Sequence, residues 1–440
     1  MPALETILAP ACKRVSALAA LGLLLAAGTF LAAGTASAED VADTGDTAWM
    51  LTSTLLVLLM ALPGLALFYG GLVRTKNLLS VLMQCMFSAG IIGVLWVLFG
   101  YSLAFGEGNA FIGDLSMFGL DGITPDSVSG TIPTYVFVMF QGMFAIITPA
   151  LMLGAFAERM RFSVYAIFIT IWVFVVYIPL AHMVWGGGYI ATEIEALDFA
   201  GGLVVHMSSG FSALVAAIIV GPRLGYGKEP MAPNSLPLTV IGAALLWVGW
   251  FGFNAGSELA ADGVAGLAFL TTQTATVTCL LVWTLIEWIH RGKPTILGAA
   301  TGIVAGLVAI TPACAFVGPL GAIGIGAGAA VICYAAVTIM KPMVGYDDSL
   351  DVFGVHGVGG AWGALATGLF ITETTGLGYG GQIGAQAISI VITAVFACTA
   401  TAVILYAMKA VLGDLRVTEE EEFEGLDLAE HSETAYGSPS

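Results

Sequence analysis

The chain is 440 residues long, 58% of them hydrophobic and 10% charged, where a soluble domain carries about 25% charged residues. Its 30 acids against 13 bases give a formal charge of −17, and with no basic patch this argues against nucleic acid as a partner. A soluble core would not need so much apolar sequence. The mean hydropathy of +0.95 assigns the surplus to contact with a lipid bilayer.

Residues 1–38 have the form of an export signal. Lys13 and Arg14 make a basic start, Val15 to Ala33 an apolar run, and Ala36-Ser37-Ala38 a small-residue cleavage site. The run is long for a signal, so a retained first helix fits it too. On the first reading the mature chain begins near Glu39, outside the cell membrane.

A bilayer-crossing helix needs about 20 mostly apolar residues. The remaining chain offers such stretches at 48–71, 78–104, 134–157, 163–187, 200–221, 236–254, 264–290, 295–316, 321–340, 354–372 and 383–411. The spacing predicts an all-α membrane protein with eleven transmembrane helices over 39–411 and a cytoplasmic tail over 412–440. Connections are short, apart from 105–133. Cys85, Cys279, Cys314, Cys333 and Cys398 sit inside apolar segments, which speaks for packing rather than a disulfide framework.

Every Lys and Arg after the signal, from Arg74 and Lys76 through Arg223 to Lys409 and Arg416, falls on one side of this arrangement. The opposite loops carry acids such as Glu107, Asp114, Glu193, Glu195 and Asp262 and no cation. The positive-inside rule puts the basic side in the cytoplasm. The amino terminus is then outside and the carboxyl terminus inside. Asp198 to His206 (DFAGGLVVH) opens the fifth span running inward, and Asp351 to Gly360 (DVFGVHGVGG) opens the tenth running outward. Five spans between them means opposite polarity. An inverted repeat of spans 1–5 and 6–10 fits, with the eleventh standing apart.

His206 and His356 lie well inside the membrane, roughly 12 Å and roughly 7.5 Å from opposite ends at 1.5 Å per residue. Ionisable groups at such depth usually line a pathway or proton relay, although two histidines bonding carbonyls in a packed bundle fit as well. His182 reads as interfacial and His290 as a helix-boundary residue. Phe140 and Phe144, four apart, share one helix face. Trp185 ends the fourth span, and Trp250, Phe253 and Ser257 follow one another at helical spacing on the sixth. Aromatic faces with one hydroxyl suit a small cation; taken alone, an interfacial aromatic belt explains them better. There is no HExxH, paired CxxC, P-loop or NPA motif. No cofactor, metal or enzymatic activity is therefore expected.

From about residue 45 to 437 the chain resembles the ammonium transporter family (Amt/Mep/Rh), its bacterial Amt type in particular. The resemblance is carried by PGLALFYGGLVRTKN (63–77), FGYSLAFGEG (99–108), AHMVWGGG (181–188), LDFAGG (197–202), GWFGFNAGS (249–257), TPAC (311–314) and DVFGVHGVGG (351–360). It implies a homotrimer in the cell inner membrane with one pore per protomer. Ammonium or methylammonium is recognised outside and deprotonated at the gate, and ammonia crosses a dry pore while the proton travels separately. Phe140, Phe144, Trp185 and Ser257 resemble the outer ammonium site, and Phe144 with Phe253 the stacked phenyl gate. His206 and His356 resemble the pore pair, with Trp250 lining the pore. Asp198 is similar to the buried acid that supports the outer site. The tail resembles one that works with a PII-type regulatory protein, although Asp414 stands where relatives often carry Gly. An ammonium sensor with little flux is the alternative.

Overall fold

A computed structural model describes residues 41–437; the expected signal and its cleavage site lie outside them. Among the described residues nine helices are long and apolar enough to cross a membrane. They are α1 (Thr44–Leu72), α2 (Thr75–Phe105), α3 (Thr134–Phe156), α4 (Phe162–Trp185), α5 (Gly202–Val220), α6 (Leu236–Glu258), α7 (Gly263–Arg291), α9 (Pro319–Val344) and α11 (Gly378–Leu412). Two shorter apolar helices complete the bundle: α8 (Ile296–Ile310), and α10, in which a π-helical turn Phe353–Gly357 runs into Val358–Phe370. A helix satisfies its backbone internally, which hydrocarbon demands. The eighth segment stops six residues short of the expected 316, because Pro312 supplies no N–H and the chain turns over 311–316. The long 105–133 connection carries a small ribbon, Val128–Ser129 against Ile132–Pro133.

Helix α3 is the centre of the bundle, with 89% of its apolar window buried, against 33% for α2 and for α11. Beyond its first turns, where Tyr135 and Met139 are exposed, side chains on α3 therefore face the interior whichever way they point.

The cations gather at one end, the basic face. Arg223 donates to both Asp347 carboxylate oxygens at 2.8 and 2.9 Å. Glu158 takes Arg74 at 2.6 Å and Arg223 at 3.4 Å. Fully buried Arg159 donates to the carbonyls of Asp347 (2.6 Å), Gly221 (2.7 Å) and Ala155 (3.0 Å). Burial alone would raise the Asp347 pKa, but the Arg223 hydrogen bonds and the charge of Arg159 hold it below the ordinary carboxylate value.

The tail lies on this face as α12 (Glu419–Glu424) and α13 (Leu426–His431). Thr418 and Glu421 form the capping box that their spacing predicts. Buried Glu422 accepts the Leu224 N–H at 2.7 Å and pairs with Arg416 at 2.6 Å. Asn77 and Asp427 exchange roles across the contact, taking the N–H of Leu426 (2.9 Å) and of Ser80 (2.8 Å).

Helices α5 and α10 run in opposite directions. The last turn of α5 reaches Gly221 on the basic face, where α10 starts just after Asp347 and Asp348. Beyond α10, Ile371 bridges Val317 at the far, acidic face, and Phe199, just before α5, bonds Pro312 there. The two helices cross at Gly210, where an added Cβ would stand 2.1 Å from the Gly357 nitrogen. Only a hydrogen fits. We expect Gly210→Ala to destabilise the detergent-purified protein by about 3 kcal/mol, an overpacking cost that backbone cannot relieve. Thermal unfolding against the wild type measures it.

Candidate functional site

The centre of the molecule holds a continuous column of rings. At its acidic-face end Phe140 and Phe144 meet edge to face, with centroids 5.0 Å apart at 63°. Trp185, at the end of α4, stands nearly perpendicular to Phe144 at 6.0 Å and 85°. Phe144 then stacks on Phe253 of α6 at 4.2 Å and 30°. Both phenyl rings are buried, at 1% and 0% exposure, so this stack fills the bundle interior beneath the Trp185 end. The Ser257 hydroxyl, one turn beyond Phe253, donates to the Phe253 carbonyl at 2.8 Å; its lone pairs remain for a donor. Neighbouring Gly256 abuts the Phe140 ring.

On the other side of the stack the rings become polar. His206 lies parallel to Phe253 (5.8 Å, 25°) and to Trp250 (5.3 Å, 24°). The His206 and His356 rings lie 5.3 Å apart at 29°, with their Nδ1 atoms separated by 3.3 Å. One Nδ1 must donate and the other accept. The two Nε2 atoms then carry opposite roles, one with a proton and one with a lone pair. The His206 Nε2 is buried without a protein partner. A narrow cavity runs beside the pair, walled by Tyr69, Ile147, Leu151, Trp250 and Val304. Apart from the imidazoles and the edge of Tyr69, this wall is hydrocarbon and indole.

Local sequence explains how two ionisable rings come so close. Each histidine sits in a π-helical turn, Gly202–Met207 and Phe353–Gly357, and each turn is headed by an aspartate eight residues before the ring. Asp198 accepts the N–H groups of Gly201, Gly202, Leu203 and Val204 at 3.0, 2.6, 2.7 and 3.2 Å. Gly201, at φ +112°, gives the chain the left-handed bend that turns those donors inward. Asp348 accepts the Phe353 N–H at 2.7 Å. The counterpart of Asp198 is thus Asp348. Asp351, which opens the matching sequence segment, instead pairs with Lys341 at 2.6 Å. Asp198 also accepts the Trp185 indole N–H on its carbonyl at 2.9 Å, so one residue shapes the head of α5 and aims the indole.

A sequence model of the Ammonium Transporter Family matches residues 48–436. The chain belongs to the ammonium transporter family. It is 50% identical over 404 residues to an ammonium transporter of Bacillus subtilis (strain 168), covering 89% of this chain and 98% of that one. Among solved structures it is similar to Candida albicans Mep2, with a TM-score of 0.81 and 36% identity over 88% of this chain and 89% of that one. It is also similar to a protein titled Sensor Amt Protein, with a TM-score of 0.82 and 29% identity over 88% of this chain and 98% of that one.

Within this family framework, His182 differs from its sequence reading. Rather than facing the interface it is buried, with Nδ1 3.0 Å from the Ala104 carbonyl and Nε2 2.8 Å from that of Asn109. It ties the end of α2 to α4, because Gly186 to Gly188 let the chain fold back over it. Sequence reasoning also passed over Thr311, whose hydroxyl accepts the Trp250 N–H at 2.9 Å while donating to Leu307 O at 2.8 Å. Thr311 opens the TPAC motif, but nothing there points to Trp250, since the partners are 61 residues apart. Asp348 was findable from its eight-residue spacing to His356. Among the described residues Thr311 is the sole acceptor of the buried Trp250 N–H, so Thr311→Val should cost about 2 kcal/mol. We expect lowered thermal stability with Trp250 fluorescence shifted, measured on purified protein.

Proposed function

We propose that this ammonium transporter binds ammonium at Phe140, Phe144, Trp185 and Ser257, strips its proton at the Phe144–Phe253 stack, and conducts ammonia and the proton past His206 and His356. The observation that carries the reading is the order of the rings: an aromatic corner, a closed phenyl stack, then two hydrogen-bonded imidazoles beside an apolar cavity. Ring faces attract a cation, and the Ser257 oxygen takes one of its N–H bonds, which potassium lacks. Below the stack an unhydrated ion meets a steep desolvation cost that neutral ammonia does not. The imidazole pair supports the second half. Its complementary Nε2 atoms offer ammonia one donor and one acceptor, and a proton moves past the pair when the bare Nε2 of one ring takes one up, the shared Nδ1 proton passes to the other ring, and that ring releases its own Nε2 proton.

In this reading all eleven helices span the inner membrane, the amino terminus is outside after removal of residues 1–38, and the acidic face is external. Protomers assemble as a homotrimer. The basic face with the 412–440 tail receives a PII-type regulator, and the knit of Asp427 onto the start of α2 and of Glu422 into the loop after α5 supports such coupling. A sensor with little flux shares the site, and the likeness to the Sensor Amt Protein favours keeping it as the second reading.

Replacing both His206 and His356 with Leu should abolish the current evoked by an ammonium pulse in proteoliposomes, in protein that still purifies folded. A normal current in that variant would assign the proton another route. A wild type that binds methylammonium without current or uptake would favour the sensor.

Truncation after Leu412 removes Arg416, Glu422 and Asp427 from the basic face. We expect impaired uptake, or loss of its decline when cells are shifted to high ammonium. Methylammonium uptake before and after the shift, compared with the full chain, reads either effect.

A further inference from the structure

Helix α11 stands outside the expected five-plus-five repeat, yet it carries two fully buried glutamines one turn apart, Gln382 and Gln386. A buried carboxamide is costly unless both of its ends are matched. These two are matched on the loop that leads into α5. Gln386 Oε1 accepts the Leu197 N–H at 2.7 Å, and its Nε2 donates to the carbonyls of Leu197 and Ala364, each at 2.8 Å. Gln382 Nε2 donates to Gln386 Oε1 and to Glu195 O, each at 3.2 Å, and its Oε1 accepts from Thr375 at 2.7 Å. A carboxamide that takes both the N–H and the C=O of one residue does the work of a neighbouring strand. It fixes that residue in space.

The residue so fixed directly precedes Asp198. Residues 195–201 have no regular structure. Their other backbone ties sit at the two ends, where Glu195 and Ala196 N–H reach Ile190 O and the Gly201 carbonyl takes the N–H groups of Val205 and His206, with Phe199 N–H to Pro312 O at 3.2 Å between them. From this stretch the Asp198 carbonyl holds the Trp185 indole, 2.9 Å away. Among the described residues the Trp185 N–H has no other hydrogen-bond partner, so the plane of its ring follows the loop. Ala364 belongs to α10, so the same amide also ties the loop to the helix that carries His356.

We infer that Gln386 is a positioning residue for the aromatic substrate site: through Leu197 and the Asp198 carbonyl it sets the orientation of Trp185 and thereby the affinity for small ammonium ions. The assignment rests on the reading of Trp185 as part of that site. Attraction between a cation and a ring depends on the cation standing over the ring face, and a displacement of about 1 Å in such a site can cost on the order of a hundredfold.

The test is saturable methylammonium uptake in proteoliposomes, with half-saturation and maximal rate determined separately for Gln386→Leu, Gln386→Glu, Trp185→Leu and the double variant Gln386→Leu/Trp185→Leu. Leu fills the volume without bonding, whereas Glu, neutral in so buried a place, keeps the acceptor for Leu197 N–H and one of the two donors. We expect Gln386→Leu to raise half-saturation about tenfold with the maximal rate within about twofold, and Gln386→Glu to lie between it and the wild type. In the Trp185→Leu background Gln386→Leu should add little, because the two act in series. Hydrogen exchange of the 197–204 amides should quicken in both Gln386 variants. Unchanged half-saturation in Gln386→Leu, or full additivity with Trp185→Leu, overturns the assignment and leaves Gln386 a packing residue while the substrate site stands. If Gln386→Leu does not fold, the Gln386→Glu values decide in the same way. Wild-type half-saturation in Trp185→Leu itself overturns the reading of the aromatic site, and this inference with it.

Discussion

Hydrocarbon offers no water, so each polar group inside a membrane bundle must find its partner in the protein. In this chain that constraint is sharpest at His206 and His356, whose Nδ1 atoms lie 3.3 Å apart in a buried column. Each ring is the other's nearest polar neighbour. Keeping them paired requires two helices of opposite direction to cross almost backbone on backbone, which the Gly210–Gly357 approach allows. It also requires each helix to present its histidine from the correct turn. The π-helical turns at 202–207 and 353–357 do this by widening the helix where the ring emerges. The Phe144–Phe253 stack and Trp250 then enclose the pair.

Both turns begin at a buried carboxylate, but the two faces of the bundle treat it differently. Asp198 is matched by four backbone N–H groups and its carbonyl is spent on Trp185. Asp348 receives the Phe353 N–H, keeps one oxygen without a partner, and is pushed by burial up to about 6. The acidic-face loop is held by neutral carboxamides from α11. The basic-face loops are held by the ion pairs of Arg223 with Asp347 and Glu158, and by Arg159 on backbone carbonyls. A buried ion pair of that kind fixes geometry more surely than it adds stability. The tail joins this network through Arg416 and Glu422, which gives the basic face a single connected surface.

Much of this was legible in order along the chain. Apolar length marked the helices, and Phe140, Phe144, Trp185, Trp250, Phe253, His206 and His356 were all singled out by type, depth and helical spacing. The structure brings those seven into one column. Ser257 closes its upper corner less directly, bonded within its own helix. His182 misled because position in a span says how deep a residue lies and not which way it faces. The acid of the tenth segment misled because Asp351 is nearer the motif in sequence, whereas the cap geometry selects Asp348, eight residues before its histidine as Asp198 is before its own. Gln382 and Gln386 were visible as polar residues in an apolar helix, but their target lies 189 residues away in sequence.

The sequence by itself determined that the chain lives in a membrane, where its helices run, and which aromatic and imidazole side chains are deep, because hydropathy and period 3.6 are local properties of the chain. Family membership followed from the same local motifs. What only the tertiary structure decided is pairing: that two imidazoles meet through Nδ1, that Phe144 stacks on Phe253, that Thr311 accepts from Trp250, and that Gln386 grips Leu197. Each of these joins helices far apart in sequence, and in a solvent that satisfies nothing, the partner of a buried polar group is fixed by packing alone.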